Sequence, residues 1–222
     1  MCGRYTLAES PRKLAKRFDV PETPELPFDG QRYNIAPTQQ VPIVRQRDYA
    51  REMVLARWGL IPSWAKDMKI GNQLINARAD TVATKPSFRA AFKSRRCLIP
   101  ADGFYEWQKT DDGKQPFHIH MKDKGPFAFA GLWEWWLPEE GEPVESCAII
   151  TTDANELMAP IHNRMPVILA PNDYATWLKA DGKPDALVSL LNPFPADLME
   201  ANAVSKAVNS PRNQGEKLIE PA

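Results

Sequence analysis

The sequence has neither an excess of charge nor a long apolar run. Its 28 basic and 28 acidic side chains leave a formal net charge of zero, so any nucleic-acid binding needs a local basic patch. No apolar run approaches the ~20 residues of a membrane helix, and the N-terminal residues lack the apolar stretch of a signal peptide. Three cysteines without C-x-x-C spacing speak against a disulfide framework or a zinc ribbon and favour a reducing cytosol. We therefore expect an intracellular, cytoplasmic globular protein.

Motifs of several common enzyme classes are also absent. The sequence holds no Gly-rich phosphate loop, no G-x-S-x-G elbow and no H-E-x-x-H. His118 and His120 form an H-x-H pair, but no cysteine or third histidine has the spacing to complete a metal site with them. We interpret both histidines as surface residues, and the sequence predicts neither a metal nor a cofactor.

Proline is abundant instead, with 21 of 222 residues scattered along the chain, a pattern that favours short strands joined by turns. Thr110 to Lys114, with its Asp-Gly, is the clearest hairpin signal. Strand-like segments follow one another without helices strictly between them, and a final strand is expected at about 202–208. This order predicts an α+β fold with largely antiparallel, barrel-like twisted sheets and short flanking helices. No linker divides the chain, so we predict one domain over residues 1–222.

Cys2 is the first candidate reactive residue. Removal of Met1 leaves an α-amine and a thiol on the same residue. The α-amine has a reference pKa of about 7.7–8.0, against about 10.4 for lysine, so far more of it is neutral and nucleophilic near neutral pH. With an aldehyde such an aminothiol forms an imine, on which the thiol closes to a thiazolidine, helped by a large effective molarity. Taken alone, however, a cysteine at this position is most often incidental.

Glu106 and His162 are candidates for proton transfer. In GFYEWQ, alternation places Phe104 and Glu106 on one face of a strand and Tyr105 and Trp107 on the other. A carboxylate among aromatic rings can be desolvated, which raises its pKa toward acid–base use; the alternative is a glutamate on a solvated sheet face. His162 precedes an apolar strand and is either a loop histidine or a proton shuttle.

Further polar and aromatic residues stand near these candidates. Asn76, in LINARAD, is typical of local turn chemistry when taken alone. Three arginines can form the local patch that the neutral total requires, because guanidinium forks match phosphate oxygens: Arg4, Arg78 and Arg164. Pro37 and Trp64 lie in expected loops, where a ring can stack on an unstacked base.

Taken together, these segments resemble the SRAP family (SOS-response-associated peptidase proteins), in the form of its bacterial, YedK-type abasic-site processing members. The segments that carry the resemblance are MCGRY at 1–5, RYNIAPTQQVPIV at 32–44, WGLIPSW at 58–64, NARADT at 76–81, CLIPADGFYEW at 97–107, AIITTDAN at 148–155 and IHNRMPVIL at 161–169. VSKAVN and RNQG near the C-terminus extend it, so that it covers nearly the whole chain. The order of these motifs is far more specific than any one of them.

The resemblance implies a reaction: cross-linking of the ring-opened aldehyde of an abasic site in single-stranded DNA to Cys2 as a thiazolidine, which shields the lesion in the DNA damage response. Glu106 is then the acid–base group, His162 assists opening of the sugar and the reverse reaction, and Asn76 orients the amine and a sugar oxygen. Peptidase activity that removes Met1 and lyase-type strand chemistry are further implications.

The resemblance also assigns the DNA contacts and the state of the protein. The residues expected to bind DNA are Arg4, Arg78 and Arg164, on phosphates, with Pro37 and Trp64 near the strand junction. It implies a monomer without a cofactor, associated with DNA, and the short C-terminal tail favours a bacterial source. One residue departs from the pattern, since many members are expected to carry glutamate after NARA where this chain has Asp80.

Two alternatives remain open at this stage. N-terminal-nucleophile glutamine amidohydrolases also begin Met-Cys-Gly, but they need an Asn-Gly pair for the oxyanion, and this chain has no such dipeptide. A non-covalent single-stranded DNA-binding protein, in which Cys2 is incidental, predicts binding that is lost on denaturation and falls steeply with salt.

Overall fold

The computed structural model describes residues 2–21, 30–179 and 181–222. The strands, in chain order, are β1 (Tyr5–Leu7), β2 (Arg32–Ile35), β3 (Gln40–Arg47), β4 (Ala50–Trp58), β5 (Asn76–Arg78), β6 (Arg96–Ala101), β7 (Gly103–Thr110), β8 (Gly113–Met121), β9 (Phe127–Trp136), β10 (Val144–Asp153), β11 (Arg164–Pro166), β12 (Ile168–Leu169) and β13 (Met199–Ala203). The helices are α1 (Pro11–Arg17), α2 (Arg89–Ser94), α3 (Tyr174–Leu178) and α4 (Pro184–Val188). Within these ranges no helix is both long and apolar enough to cross a bilayer.

The strands form two sheets. The first has the order β13-β8-β7-β1-β2 and is antiparallel throughout. The second has the order β11-β10-β4-β3-β6-β9-β12, with β5 on β10 and a further pairing of β9 with β10. That extra pairing closes β3, β4, β10, β9 and β6 into a barrel, in which only the pairings of β10 with β4 and β5 are parallel. The expected α+β fold with antiparallel, barrel-like sheets is confirmed.

The β7–β8 hairpin forms where the sequence predicts it. Thr110 pairs with Gly113 across a two-residue turn, and Gly113 has a φ of 122°, a conformation that glycine adopts without strain. The expected final strand is displaced: β13 ends at Ala203, and residues 206–209 form a 3₁₀ turn. The Ser205 side chain accepts a hydrogen bond from the Ala207 N–H at 3.2 Å, which turns the chain away from the sheet.

The inner face of the first sheet packs on the barrel. Tyr5 meets Trp58 edge to face at 5.3 Å between ring centroids, and Phe104 meets Phe129 in the same way at 6.0 Å. All four side chains are fully buried, and each such burial contributes roughly 1.5–3 kcal/mol. This packing fixes β1 and β7 side by side against the barrel.

The outer face of the first sheet is covered by the C-terminal residues. Tyr105 packs there in a small apolar cluster with Val204 and Val208. His118 lies on the same face, 5.1 Å from Tyr105 between ring centroids, and only 5% of its surface is exposed. The interpretation of His118 as a surface residue is therefore wrong. The ring fits because Gly103 has no side chain: a Cβ there would stand 2.1 Å from His118 Nε2.

Candidate active site

Cys2 is fully buried where the chain enters β1; Met1 lies outside the described residues. The Tyr105 N–H donates to the Arg4 carbonyl at 3.0 Å, so the ladder between β1 and β7 continues past its last strand pair and brings Cys2 toward Glu106. Burial raises the pKa of the Cys2 thiol well above its ordinary value, and the negative charge of Glu106 raises it further. The thiol is therefore protonated at neutral pH.

Glu106 lies on the inner face of β7, together with Phe104. Only 2% of its surface is exposed, so it is not on a solvated sheet face. Burial raises the pKa of Glu106 above its ordinary value, while the positive charge of His162 acts in the opposite direction. A carboxyl group whose pKa is raised by burial gives up its proton less readily than an exposed one and is suited to exchange a proton with a reacting group.

Asn76 connects the barrel side to Cys2. It lies on β5, which pairs in parallel with β10, so Asn76 stands beside Ile149. Its Nδ2 donates to the Cys2 carbonyl at 2.8 Å. Its Oδ1 is buried and receives no hydrogen bond from the residues that the structure describes, which leaves an acceptor ready for a ligand N–H or O–H.

His162 is held in a turn between β10 and β11. Its backbone N–H donates to the Met158 carbonyl at 2.8 Å. Asn155 anchors that turn, since its Oδ1 accepts from Met158 N–H at 2.9 Å and its Nδ2 donates to the Phe194 carbonyl at 2.7 Å. The structure thus fixes the histidine through an asparagine seven residues earlier, in the AIITTDAN segment.

The backbone of Arg164 determines how the His162 ring carries its proton. The Arg164 N–H donates to His162 Nδ1 at 3.1 Å, which places the proton of the neutral ring on Nε2. The Arg164 carbonyl is 3.2 Å from the same Nδ1 and can accept from it in the imidazolium form. The two backbone groups of Arg164 therefore hold the His162 ring in one orientation.

The four candidate reactive residues meet at the seam between the two sheets. Cys2 and Glu106 come from the first sheet, and Asn76 and His162 from the β5 and β11 side of the second. Each interacts with the next. Asn76 donates a hydrogen bond to Cys2, the charge of Glu106 raises the pKa of Cys2, and the charge of His162 lowers the pKa of Glu106. In the described ranges, the reactive residues included, no group of three or more His, Cys, Asp or Glu side chains is arranged to hold a metal ion.

Two of the expected DNA-binding arginines are tied to the protein itself. Arg4 Nη1 donates to Asn34 Oδ1 at 2.8 Å and to the Val208 carbonyl at 2.9 Å. Arg164 Nη1 donates to Asp153 Oδ1 at 3.1 Å, its Nη2 donates to the Thr151 carbonyl at 2.6 Å, and the side chain is mostly buried. Both guanidinium groups hold segments of the site in place with these nitrogens.

Arg78 is the exposed arginine of the three. It follows Asn76 on β5 with the side chain on the same side of the strand, beside the reactive residues. Its Nε donates to Asp80 Oδ1 at 3.1 Å and its Nη2 to Asp80 Oδ2 at 2.6 Å, a two-point ion pair. The Asp80 carboxylate therefore occupies two of the guanidinium nitrogens of Arg78.

Pro37 and Trp64 both lie in loops, as the sequence predicts, after β2 and β4 respectively. Trp64 is 59% exposed, which is unusual for an indole, and it borders a hollow of ≈ 520 Å³ with Lys66, Lys69 and Ile70. Asp67 also lines the hollow, 3.9 Å from Lys69, and the exposed indole beside these charges offers a ring on which a base of single-stranded nucleic acid can stack.

Sequence reasoning missed the residues that hold the site together. Asn34 is fully buried, and its Nδ2 donates to the carbonyls of Val208, Ser210 and Asn213 at 3.1, 2.9 and 3.1 Å. It thus binds the C-terminal segment to β2 and, through its Oδ1, to Arg4. The one available signal was its place inside the YNIAP motif, because its partners are far away in the sequence.

Comparison with known proteins identifies a family profile, relatives in sequence and a similar solved structure. A family profile described as SOS response associated peptidase (SRAP) matches residues 1–211. The chain is 48% identical over 223 residues to the abasic site processing protein YoqW of Bacillus subtilis, covering 99% of each, and 31% identical over 226 residues to the abasic site processing protein YedK of Escherichia coli, covering 100% of each. A crystal structure of a protein from Bacteroides thetaiotaomicron superimposes with a TM-score of 0.88 at 30% identity, covering 100% of both chains.

Proposed function

The chain belongs to the SRAP family of abasic site processing proteins, and from that premise we propose that it captures abasic sites in single-stranded DNA as a covalent thiazolidine on Cys2, after removal of Met1. The observation that supports this most directly is the hydrogen bond from Asn76 Nδ2 to the Cys2 carbonyl, which holds the N-terminal cysteine beside the buried Glu106. The adduct shields the lesion in the DNA damage response.

In the first step the sugar opens and the amine attacks. His162, as the imidazolium with its Nδ1–H on the Arg164 carbonyl, donates its Nε2 proton to the ring oxygen of the closed sugar as the bond from C1′ to that oxygen breaks. The 1′-hydroxyl gives its proton to solvent water, which leaves the aldehyde, and solvent returns a proton to His162. The neutral α-amine of Cys2 adds to the aldehyde carbon, and one proton passes from nitrogen to oxygen to give a carbinolamine. Asn76 Oδ1, with no partner among the described residues, accepts the amine N–H and aligns the nitrogen.

In the second step water leaves and the ring closes. Protonated Glu106 donates to the carbinolamine hydroxyl, water departs, and an iminium ion and the Glu106 carboxylate remain. The carboxylate then takes the thiol proton as Cys2 Sγ bonds to the iminium carbon, which restores protonated Glu106. The net reaction joins amine, thiol and aldehyde and releases one water. The raised pKa of Glu106 suits this cycle, since the resting group must carry the proton.

The raised pKa of the Cys2 thiol determines the order of these steps. A buried, protonated thiol is a poor nucleophile, so the amine attacks first. The thiol reacts only after dehydration has left a Glu106 carboxylate to remove its proton. The imine stage is also the point from which lyase-type strand cleavage can proceed, because an iminium ion acidifies the neighbouring C–H.

The DNA strand is proposed to run past the seam over Arg78, with Arg4 and Arg164 behind it and Pro37 and Trp64 at the strand junction. Support comes from the exposed guanidinium on β5 and from the exposed indole with its neighbouring lysines. The protein is proposed to act as a monomer, and to remove its own Met1 at the same site.

The decisive test combines a gel with a trapping reagent. Met1-free protein is mixed with single-stranded DNA carrying one abasic site and run under denaturing conditions. The wild type and the control Cys147→Ala, which removes another buried cysteine, should give a cross-linked band. Cys2→Ala should give no such band without a reductant. Both Cys2→Ala and Cys2→Ser keep the α-amine once Met1 is removed, so each should give a band only after borohydride reduction of the imine.

Other outcomes assign other functions. If Cys2→Ala gives the same band as the wild type, another residue forms the link and the proposal is wrong. If neither protein forms a band although both bind the DNA in solution, the chain is a non-covalent single-strand binder.

A further inference from the structure

The ion pair of Arg78 and Asp80 lies where the proposed function requires a phosphate. Arg78 projects from β5 next to Asn76, and Asp80 takes both Nε and Nη2, the edge of the guanidinium that presents two parallel N–H groups. A carboxylate offers that edge the same two-point geometry as a phosphate does. In the DNA-free protein, the matching edge is therefore already filled by a residue of the chain itself.

A second acid lies close by. Asp153 pairs with Arg164 at 3.1 Å, and the two residues are direct partners in the β10–β11 ladder. The hydrogen bond from Arg78 lowers the pKa of Asp80, and the charge of Arg164 lowers it further; the charge of Asp153 in turn acts on Arg78. Two arginines and two aspartates thus form one group of zero net charge. The group has no electrostatic excess to attract DNA from a distance.

We propose that Asp80 is a specificity-determining residue: it competes with DNA phosphate for Arg78 and thereby weakens binding to undamaged single strands. The inference rests on the proposed function, since it concerns the same DNA path. Strands without an abasic site are released, and strands with one are retained because the covalent bond to Cys2 forms.

The exposure of the pair makes this competition workable. The side chain of Arg78 is 58% exposed and that of Asp80 49% exposed. An ion pair so open to water is worth little, so a phosphate can displace the carboxylate without a large cost. The displaced carboxylate nevertheless stays near the strand, where its charge opposes each neighbouring phosphate.

The alternative role for Asp80 is to position Arg78 for the phosphate, and it predicts the opposite change in DNA affinity when the carboxylate is removed. If Asp80 held the guanidinium so that its remaining N–H groups met the phosphate, loss of the carboxylate would leave Arg78 mobile and weaken binding. The sign of the change in affinity therefore separates competition from positioning.

The experiment measures binding of the full chain to an undamaged, fluorescently labelled single strand by anisotropy, over a series of salt concentrations. Asp80→Asn should tighten binding roughly two- to fivefold at low salt. The plot of log affinity against log salt should become steeper by up to about 0.7–0.9, the value for one more neutralised phosphate. Asp80→Glu keeps the charge and should behave like the wild type.

Two controls separate this effect from the change in total charge. Asp181→Asn also removes an exposed aspartate from an ion pair, with Lys179 at 3.5 Å, and should leave affinity and salt slope unchanged. In an Arg78→Gln background, Asp80→Asn should lose most of its effect, because the competition passes through Arg78.

The inference is wrong if Asp80→Asn weakens binding, leaves it unchanged, or tightens it no more than Asp181→Asn does. Because the probe carries no lesion, this result does not depend on covalent capture. A wild type that binds the strand but never cross-links an abasic site would overturn the proposed function and leave the role of Asp80 standing.

Discussion

The buried His118 should make the stability of the fold depend on pH. Burial lowers the pKa of His118 from 6.5 to about 3, so the folded protein keeps the ring neutral while the unfolded chain protonates it below about 6.5. The unfolded state then binds more protons, and stability is lost as the pH falls from 6.5 toward 3. At pH 5 the loss from this one residue is about 2 kcal/mol relative to pH 8. That is a sizeable part of the 5–15 kcal/mol typical of a whole domain.

The measurement compares urea unfolding, followed by tryptophan fluorescence, at pH 8 and pH 5. His118→Gln cannot take up a proton, so its free energy of unfolding should fall by about 2 kcal/mol less than that of the wild type over this interval. Asp102, whose pKa burial raises, remains in both proteins and acts in the opposite direction, so only the difference between them is read. His120→Gln removes a half-buried neighbour whose charge adds to the lowering of the His118 pKa by burial, and it should retain most of the wild-type dependence. Equal losses in the wild type and His118→Gln would refute the reasoning.

Three further predictions concern the site and its supports. Glu106→Gln should slow cross-linking by roughly 10²–10⁴-fold with little change in DNA affinity. Because the pKa of Glu106 is raised, the wild-type rate should fall as rising pH removes its proton. Time courses on denaturing gels should show no such fall for the variant. Gly103→Ala should destabilise the fold by roughly 1–3 kcal/mol in urea unfolding, because the new Cβ meets His118 Nε2 at 2.1 Å; an unchanged midpoint would show that the ring moves aside freely. Asn34→Ala should cost roughly 2–4 kcal/mol and speed proteolysis near residues 208–213, since three carbonyls lose their donor; protection equal to the wild type would contradict this role.

The sequence predicts the elements of this fold better than their contacts. Alternation along GFYEWQ indicates which face of β7 carries Glu106, because that information is local. The barrel is different: its closure depends on β10 pairing with β4, where Ser146 stands beside Arg57 from a distant part of the chain, and no local pattern reveals this. The position of His118 was missed for the same reason, since the C-terminal residues that cover its sheet face come more than 80 residues later.

The site shows the same division. Cys2, Glu106 and His162 attract notice because their chemistry is distinctive, whether or not their neighbours are known. Asn34 and Asn155 do not, since a buried asparagine is recognised by the carbonyls that it bonds, and those carbonyls come from distant parts of the chain. Their roles follow only from three-dimensional structure.

The hydrogen bond between Arg4 and the C-terminal segment can form only late in synthesis of the chain. Arg4 reaches the Val208 carbonyl across 204 positions of sequence. At about 5–20 residues per second, a ribosome needs roughly 10–40 s to supply that acceptor after the arginine has been made. During this interval Arg4 lacks that acceptor, so this contact between the N-terminal and C-terminal residues cannot form. Only after Val208 has been made can this hydrogen bond help to hold the N-terminal residues in place.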